Sequence, residues 1–212
     1  MSKDPAAIFA GFINKHPAEI LDMMSSNVEA LTGQTVEIDD FAPDSDDMAQ
    51  KFGGKKIYVF PISDHASNPL PGLLALDFTG AVHSGAAFSL MGPGQIKEVL
   101  QSKEVPEILH DSIGEVANIL IGAALDFVRE RVDGSPEFRR GDTFELVRCG
   151  PWPDLLNRVA DNVTWRTVGG RLLIEGEEKG AILFASGEPM LEQPASADES
   201  EEAESAEGAA SS

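Results

Sequence analysis

Three polar side chains lie within one strongly apolar stretch of the sequence, at positions that a helix would bring together. Asp111, Glu115 and Asn118 are spaced i, i+4 and i+7, so on a helix they share one face. A carboxylate can pair with a cation, and a carboxamide can both donate and accept hydrogen bonds. Burying such groups unpaired among Ile, Val, Ala and Leu is costly. The stripe is therefore either satisfied inside the fold or directed towards a partner.

A purely structural role for these residues is the first alternative. The sequence Ser112-Ile-Gly-Glu115 matches a capping box, in which the Ser side chain caps a helix and the Glu side chain reaches back to the cap. Asn118 would then be a core residue that bonds to a neighbouring loop. Against this, the residues from Pro106 to His110 already have the pattern of a helix start, which would place Ser112 in mid-helix. Both interpretations stay open on the residues alone.

The element that carries the stripe is the strongest helix prediction of the chain, Pro106 to Arg131. Proline suits the first turn of a helix, and no other proline interrupts the run. Nearly every position from Ile113 to Val128 is apolar, which is typical of a helix buried in a core or an interface. The longest apolar run, Val116 to Leu125, is about half of the ~20 residues that span a bilayer, so we expect no membrane insertion.

The remaining segments predict an α+β fold with a largely antiparallel sheet packed against long helices, because helices and strands do not alternate regularly. Hydrophobic periodicity predicts a helix over Pro17–Leu31. It also predicts a strand pair over 73–78 and 81–90 that turns at Thr79-Gly80. The other predicted elements are strands at 55–62, 143–149, 163–168, 171–175 and 181–185 and helices at 95–101 and 152–159.

The charge of the chain excludes several classes of function. Lys and Arg number 16, Asp and Glu number 36, and the formal net charge is −20. The basic clusters, such as Arg129–Arg131 and Arg139–Arg140, are short, so neither a nucleic acid nor an anionic membrane surface is an expected partner. The sequence begins without the basic and apolar regions of a secretory signal, and the single cysteine, Cys149, forms no internal disulfide. We expect a cytoplasmic protein.

The chain is predicted to divide into a folded domain, residues 1–190, and a disordered acidic tail, residues 191–212. The tail is rich in Glu and Asp, spaced by Ala, Ser and Gly, and contains no Lys or Arg. Such a composition cannot bury enough apolar surface to offset chain entropy. A second acidic cluster, from Asp39 to Asp47, lacks the Gly and terminal Glu of a calcium loop and predicts a solvated loop.

Other motifs of catalysis or metal binding are missing from the sequence. The histidines show no metal-ligand spacing, and Cys149, which has no CxxC partner, predicts a buried thiol. His110 abuts the motif, where a surface or packing role is expected. No P-loop, no GxGxxG after a strand and no GxSxG elbow is present. We expect this chain to bind no metal or cofactor of its own.

The segment from Asp111 to Gly122 resembles the signature helix of the CheX/CheC/FliY chemotaxis phosphatases, in which Asp or Ser, three residues, Glu, two residues and Asn follow one another. The order of predicted elements agrees over residues ~15 to ~188. An amphipathic helix opens the domain, a paired strand segment with spaced glycines follows, and a short helix leads to the motif helix. One such helix is present, so the chain is more similar to CheX than to the two-helix CheC and FliY proteins.

The resemblance implies a CheX-like phosphatase that hydrolyses the aspartyl phosphate of a CheY-like receiver domain in chemotaxis signalling. Asn118 would orient the attacking water, Glu115 would dock the receiver's lysine, and Asp111 would support the site from its edge. Such enzymes need no metal of their own, because the receiver carries Mg²⁺ beside its phosphoryl group. CheX-like domains pair through their sheets, so the resemblance allows a homodimer, although nothing in the sequence demands one. The alternative is a non-catalytic module of the same fold that binds a receiver or scaffolds a signalling complex.

Overall fold

The computed structural model describes residue 11 and residues 15–40, 51–64, 69–131, 138–141, 144–159 and 163–189. The predicted tail and its boundary at residue 190 lie outside these ranges. In chain order the elements are α1 (Pro17–Thr32), β1 (Val36–Asp40), β2 (Lys56–Asp64), β3 (Pro69–Asp77), α2 (Phe78–Phe88), α3 (Pro93–Ser102), α4 (Glu107–Arg129), β4 (Phe138–Arg140), β5 (Glu145–Arg148), α5 (Trp152–Val159), β6 (Val163–Ile174) and β7 (Glu177–Pro189).

A single sheet contains the seven strands of the described ranges. Five of them follow in the order β1-β6-β7-β3-β2. The outer edge of β2 pairs with β5 over 56–59 and with β4 over 62–64. Every pairing is antiparallel, which confirms the predicted α+β fold. Because β4 contacts α4, this edge of the sheet reaches the helix that carries the polar stripe.

The helix α4 is the centre of the main core. Its apolar side chains, among them Ile113, Ala117 and Leu120, are buried against α1, α2 and one face of the sheet. By length and composition α4 would be long enough to cross a membrane, but 61% of its most apolar 18-residue stretch is buried inside the domain. It is a core helix, as its nearly all-round apolar pattern predicts.

A second, smaller core covers the opposite face of the sheet. Along β2, Tyr58 and Phe60 belong to the main core, whereas Ile57 and Val59 belong to the second, because successive side chains of a strand alternate between faces. Residues of α5 and Cys149 complete this second core. The burial of Cys149 confirms the predicted buried thiol, and that burial raises the pKa of the thiol.

The strand pair predicted over 73–78 and 81–90 is wrong in its second half. The strand β3 ends at Asp77 and the helix α2 begins directly after it. Asp77 is the N-cap of α2, since its Oδ1 accepts a hydrogen bond of 2.9 Å from the Gly80 backbone N–H, a usual role of Asp at this position. Most of α2 is buried, so it lacks the polar face from which a helical period can be recognised.

Asp77 also connects α2 to the middle of the sheet. The same Oδ1 accepts a second hydrogen bond of 2.9 Å, from the backbone N–H of Ala181 in β7. Gly80 and Gly180 approach each other here so closely that a Cβ on Gly180 would lie 2.3 Å from the Gly80 Cα. The absence of a side chain at Gly180 therefore lets the first turn of α2 lie directly against β7.

We expect Asp77→Asn to remove one contribution to the pH dependence of stability. Burial raises the pKa of the Asp77 carboxyl, outweighing its two backbone N–H donors and the nearby lysines, which lower it. Because the folded-state pKa is raised, the contribution of Asp77 to stability is greatest below the ordinary pKa and declines as pH rises through the raised value. The amide keeps an Oδ1 acceptor and carries no charge, so the variant should gain stability relative to wild type as pH rises.

Urea unfolding of both proteins between about pH 4 and about pH 8 measures this difference in the free energy of unfolding. Asp22→Asn, at an exposed position of α1, is the matched control and should change stability little at any pH. A loss of stability in Asp77→Asn that grows with pH would mean that the fold favours the charged carboxylate.

The other predicted elements are confirmed, with shifts at their ends. The helices predicted at 17–31, 95–101, 106–131 and 152–159 are α1, α3, α4 and α5, and the strands predicted at 163–168 and 171–175 form the continuous strand β6. The prediction of a solvated acidic loop over 39–47 is wrong at its start, because Asp39 and Asp40 belong to β1. There Asp39 forms an ion pair with Arg171 of β6. Residues 41–47 lie outside the described ranges.

Candidate functional site

The helix α4 places the three predicted site residues on its outward side. Asp111 and Glu115 are exposed and Asn118 is half-buried. Ile113 and Val116, which lie between them in sequence, are buried in the main core. The polar stripe is therefore directed away from the core, towards solvent or a partner.

Glu115 and Asn118 contact each other. The Nδ2 of Asn118 donates a hydrogen bond of 3.3 Å to the Oε2 of Glu115, as the i, i+3 spacing on a helix permits. Among the described residues, no hydrogen bond links Asp111 to either of them. The predicted trio is thus a bonded pair, with Asp111 one helical turn away on the same face.

The capping-box interpretation of Ser112 and Glu115 is wrong. The helix α4 begins more than a turn earlier, at Glu107, so Ser112 lies in mid-helix. Its hydroxyl donates a hydrogen bond of 2.7 Å to the Ile108 carbonyl, which is the bond that serines inside helices make. The Glu115 carboxylate is bonded to Asn118, further along the helix.

A residue that sequence analysis did not single out, Arg140 of β4, also belongs to the site. Its Nε donates a hydrogen bond of 2.5 Å to the Oδ1 of Asn118. Asn118 therefore lies between a carboxylate and a guanidinium. In the sequence Arg140 is visible only as half of the basic pair Arg139–Arg140 in an acidic chain, and nothing in that pair indicates a partner 22 positions earlier.

Aromatic rings support the site from the core. Phe144 stacks on His110 with ring centroids 4.6 Å apart and on Phe60 with centroids 4.9 Å apart. The His110 ring also lies 5.9 Å from Tyr58, which confirms a packing role for this histidine. The guanidinium carbon of Arg140 is 5.0 Å from the centre of the Phe144 ring, within the range of a cation–π contact. Phe144 thereby restrains Arg140.

The arrangement offers hydrogen-bonding groups rather than metal ligands. Within the described ranges, no group of three or more His, Cys, Asp or Glu side chains is placed to hold a metal ion. The exposed carboxylate of Glu115 can pair with a cation of a partner. The Asn118 amide, with one bond on each polar atom, keeps one lone pair and one N–H for a water or a ligand.

Comparison with solved structures identifies the fold, whereas neither family models nor curated protein sequences match this chain. FliY from Thermotoga maritima matches with a TM-score of 0.58 at 16% identity, over 88% of this chain and 92% of that one. This chain has the FliY fold. The FliM middle domain from H. pylori matches with a TM-score of 0.54 at 15% identity, over 88% and 94% of the two chains.

The FliY fold is the one that the sequence resemblance implied. At 16% identity or less, the likeness shows the architecture alone. CheX from Vibrio vulnificus matches with a TM-score of 0.48 at 12% identity, over 88% of this chain and 100% of that one. The greater similarity to CheX that the single motif helix indicates stays a prediction.

Proposed function

We propose that this chain is a protein phosphatase that hydrolyses the aspartyl phosphate of a CheY-like receiver domain. The observation that carries the proposal is the contact between Glu115 and Asn118 on the outward side of α4. A carboxylate and a carboxamide at i, i+3 on a rigid helix reach the same site together. Their types and spacing are also those of the motif in the CheX/CheC/FliY phosphatases, which this chain resembles.

The reaction depends on positioning more than on a strong base. Water forms a bond to phosphorus while the bond from phosphorus to the aspartyl oxygen breaks, and charge spreads over the phosphoryl oxygens. The receiver's aspartate leaves as a carboxylate, and the protons of the water stay on the released phosphate. Asn118 cannot take a proton near neutral pH, but its remaining lone pair and N–H can hold the water in line with phosphorus. The Mg²⁺ beside the phosphoryl group belongs to the receiver, as part of the substrate.

Glu115 is suited to docking the receiver. An exposed carboxylate can pair with the lysine that receivers present beside the phosphoryl group. Asp111, exposed on the same face of α4, adds negative charge at the edge of this contact. The formal net charge of −20 for the whole chain favours a partner with a basic docking surface.

A non-catalytic receiver-binding module is the second candidate, and one observation favours it. Both polar atoms of the Asn118 side chain already have partners, Glu115 and Arg140, which reduces the hydrogen bonds left for a water. Such a surface would bind a receiver and shield its phosphoryl group without turnover. The two functions differ in whether one copy of this chain acts once or many times.

Turnover at substoichiometric concentration separates the two functions. A CheY-like receiver with a labelled phosphoryl group is mixed with much less of this chain, and released inorganic phosphate is followed over time. We expect the phosphate released beyond that from the receiver alone to exceed the amount of chain added, because an enzyme is used repeatedly. If several receivers from the same organism lose their label no faster than the receiver alone does, the phosphatase proposal is contradicted. If the label is retained longer than in the receiver alone, and only when the chain is present in equimolar amount, the binding module is favoured.

A further inference from the structure

Arg140 reaches Asn118 from a different part of the fold. It is the last residue of β4 and is paired with Ile62 of β2, whereas Asn118 lies in the middle of α4. The hydrogen bond from Nε to Oδ1 therefore joins the edge of the sheet to the core helix. On the sheet side the guanidinium is restrained by the Phe144 ring.

The two partners of Asn118 allow one orientation of its amide. An arginine side chain has donors and no acceptor, and a carboxylate has acceptors and no donor. Oδ1 must therefore face Arg140 and Nδ2 must face Glu115, which is the orientation observed in the two hydrogen bonds. Rotating the amide by half a turn would set donor against donor and acceptor against acceptor. The bond from Arg140 is the shorter of the two, at 2.5 Å against 3.3 Å for the bond to Glu115, so Arg140 is the stronger restraint on the amide.

Packing alone does not account for an arginine at this position. The Nη1 of Arg140 is buried and has no hydrogen-bond partner among the described residues, which is costly for a charged group. An apolar side chain would cover the Phe144 ring without that cost. A buried donor of this kind is uncommon in native folds and needs an explanation. In the described part of the chain, the guanidinium donates its hydrogen bond to Asn118.

We infer that Arg140 is a positioning residue that acts through Asn118. The inference rests on the proposed function and deepens it. Arg140 holds Oδ1 so that the second lone pair and the remaining N–H of Asn118 meet the water and the receiver's phosphoryl group in one fixed arrangement. Because an arrangement prepared in advance costs no reorganisation during the reaction, Arg140 contributes to kcat rather than to receiver affinity.

A double-mutant cycle in turnover tests this route of action. Arg140→Met removes the donor but keeps an apolar side chain over Phe144, and we expect kcat to fall about tenfold with KM changed by less than about twofold. In an Asn118→Ala background the same substitution should lower kcat no further, because the group through which Arg140 acts is gone. Arg140→Lys keeps the positive charge but lacks both the Nε donor and the planar guanidinium over Phe144, so it should lower kcat nearly as much as Arg140→Met.

The matched control is Arg148→Met, at an exposed position of β5 on the same edge of β2. It makes the same chemical change on this edge of the sheet, six positions of β2 away from the residue that pairs with Arg140, and should leave kcat unchanged. If Arg140 had a merely structural role, Arg140→Met would lower kcat by the same factor in the wild-type and in the Asn118→Ala background. That outcome would overturn the inference while leaving the phosphatase in place.

The side-chain amide resonances of Asn118 test the inference without turnover. In isotope-labelled protein, Arg140→Met should shift the Nδ2 proton pair of Asn118 towards the values of a solvated asparagine, and Arg148→Met should leave the pair in place. If wild-type protein shows no turnover, the proposed phosphatase fails and this shift still decides the role of Arg140. An Asn118 amide pair that is unchanged in Arg140→Met would overturn the inference, whether or not the protein is an enzyme.

Discussion

Asn118→Ala is expected to lower kcat for receiver dephosphorylation by about 10²–10³, the usual cost of losing one group that positions the reacting atoms. The water then has no amide to hold it in line with phosphorus, while Glu115, the proposed docking residue, stays exposed on α4. KM should therefore change little, because the lost interaction is made in the transition state. Release of inorganic phosphate at a series of receiver concentrations measures both constants.

Glu115→Ala should give the opposite pattern, a raised KM with a smaller change in kcat, because a docking contact is lost. Glu107→Ala, an exposed acidic residue in the first turn of the same helix, is the matched control and should leave both constants unchanged. Thermal unfolding of each variant checks that the fold is kept. A folded Asn118→Ala protein with the kcat of wild type would contradict the role of Asn118 in the reaction.

Gly180→Ala is expected to destabilise the fold by about 3 kcal/mol, at the upper end for overpacking. The added Cβ would lie 2.3 Å from both the Cα and the N of Gly80 and 2.4 Å from the Asp77 Oδ1. To relieve this steric clash, α2 would have to move away from β7, and the hydrogen bond from the Ala181 N–H to Asp77 would lengthen as well. For a domain of this size we expect the midpoint of thermal unfolding to fall by roughly 6–12 °C.

Gly122→Ala makes the same substitution where space is open, and its expected effect has the opposite sign. A Cβ at Gly122 would meet nothing within 4 Å, and Ala replaces Gly in a helix interior with a gain of about 0.5–1 kcal/mol. Together the two variants separate the contact at Gly180 from a general effect of replacing glycine. An unchanged midpoint for Gly180→Ala would mean that α2 and β7 separate there without cost.

Features that depend on local sequence are the ones that could be predicted. The position of α4 follows from its apolar run and the proline before it, and the outward stripe follows from the 3.6-residue period that aligns Glu115 with Asn118. The resemblance to the CheX/CheC/FliY phosphatases rests on the same short segment. The antiparallel sheet follows from the irregular order of helices and strands.

Features that depend on contacts between distant segments could not be predicted. The segment after Asp77 reads as a strand because a helix buried on most sides shows no polar face, and the Asp77 cap has its second partner in β7, 104 positions away. Arg140 joins the site only because β4 pairs with β2 at Ile62. Neither pairing leaves a signal in the residues next to it.

The helix α4 is both a buried helix of the main core and the carrier of Glu115 and Asn118. Backbone amides in such an element exchange with deuterium mainly when the whole domain opens, because local fluctuations do not expose them. The spacing between the two side chains should therefore persist in every partly opened form of the protein. In rising urea, activity and fold should be lost in the same transition, so a folded but inactive species should not accumulate.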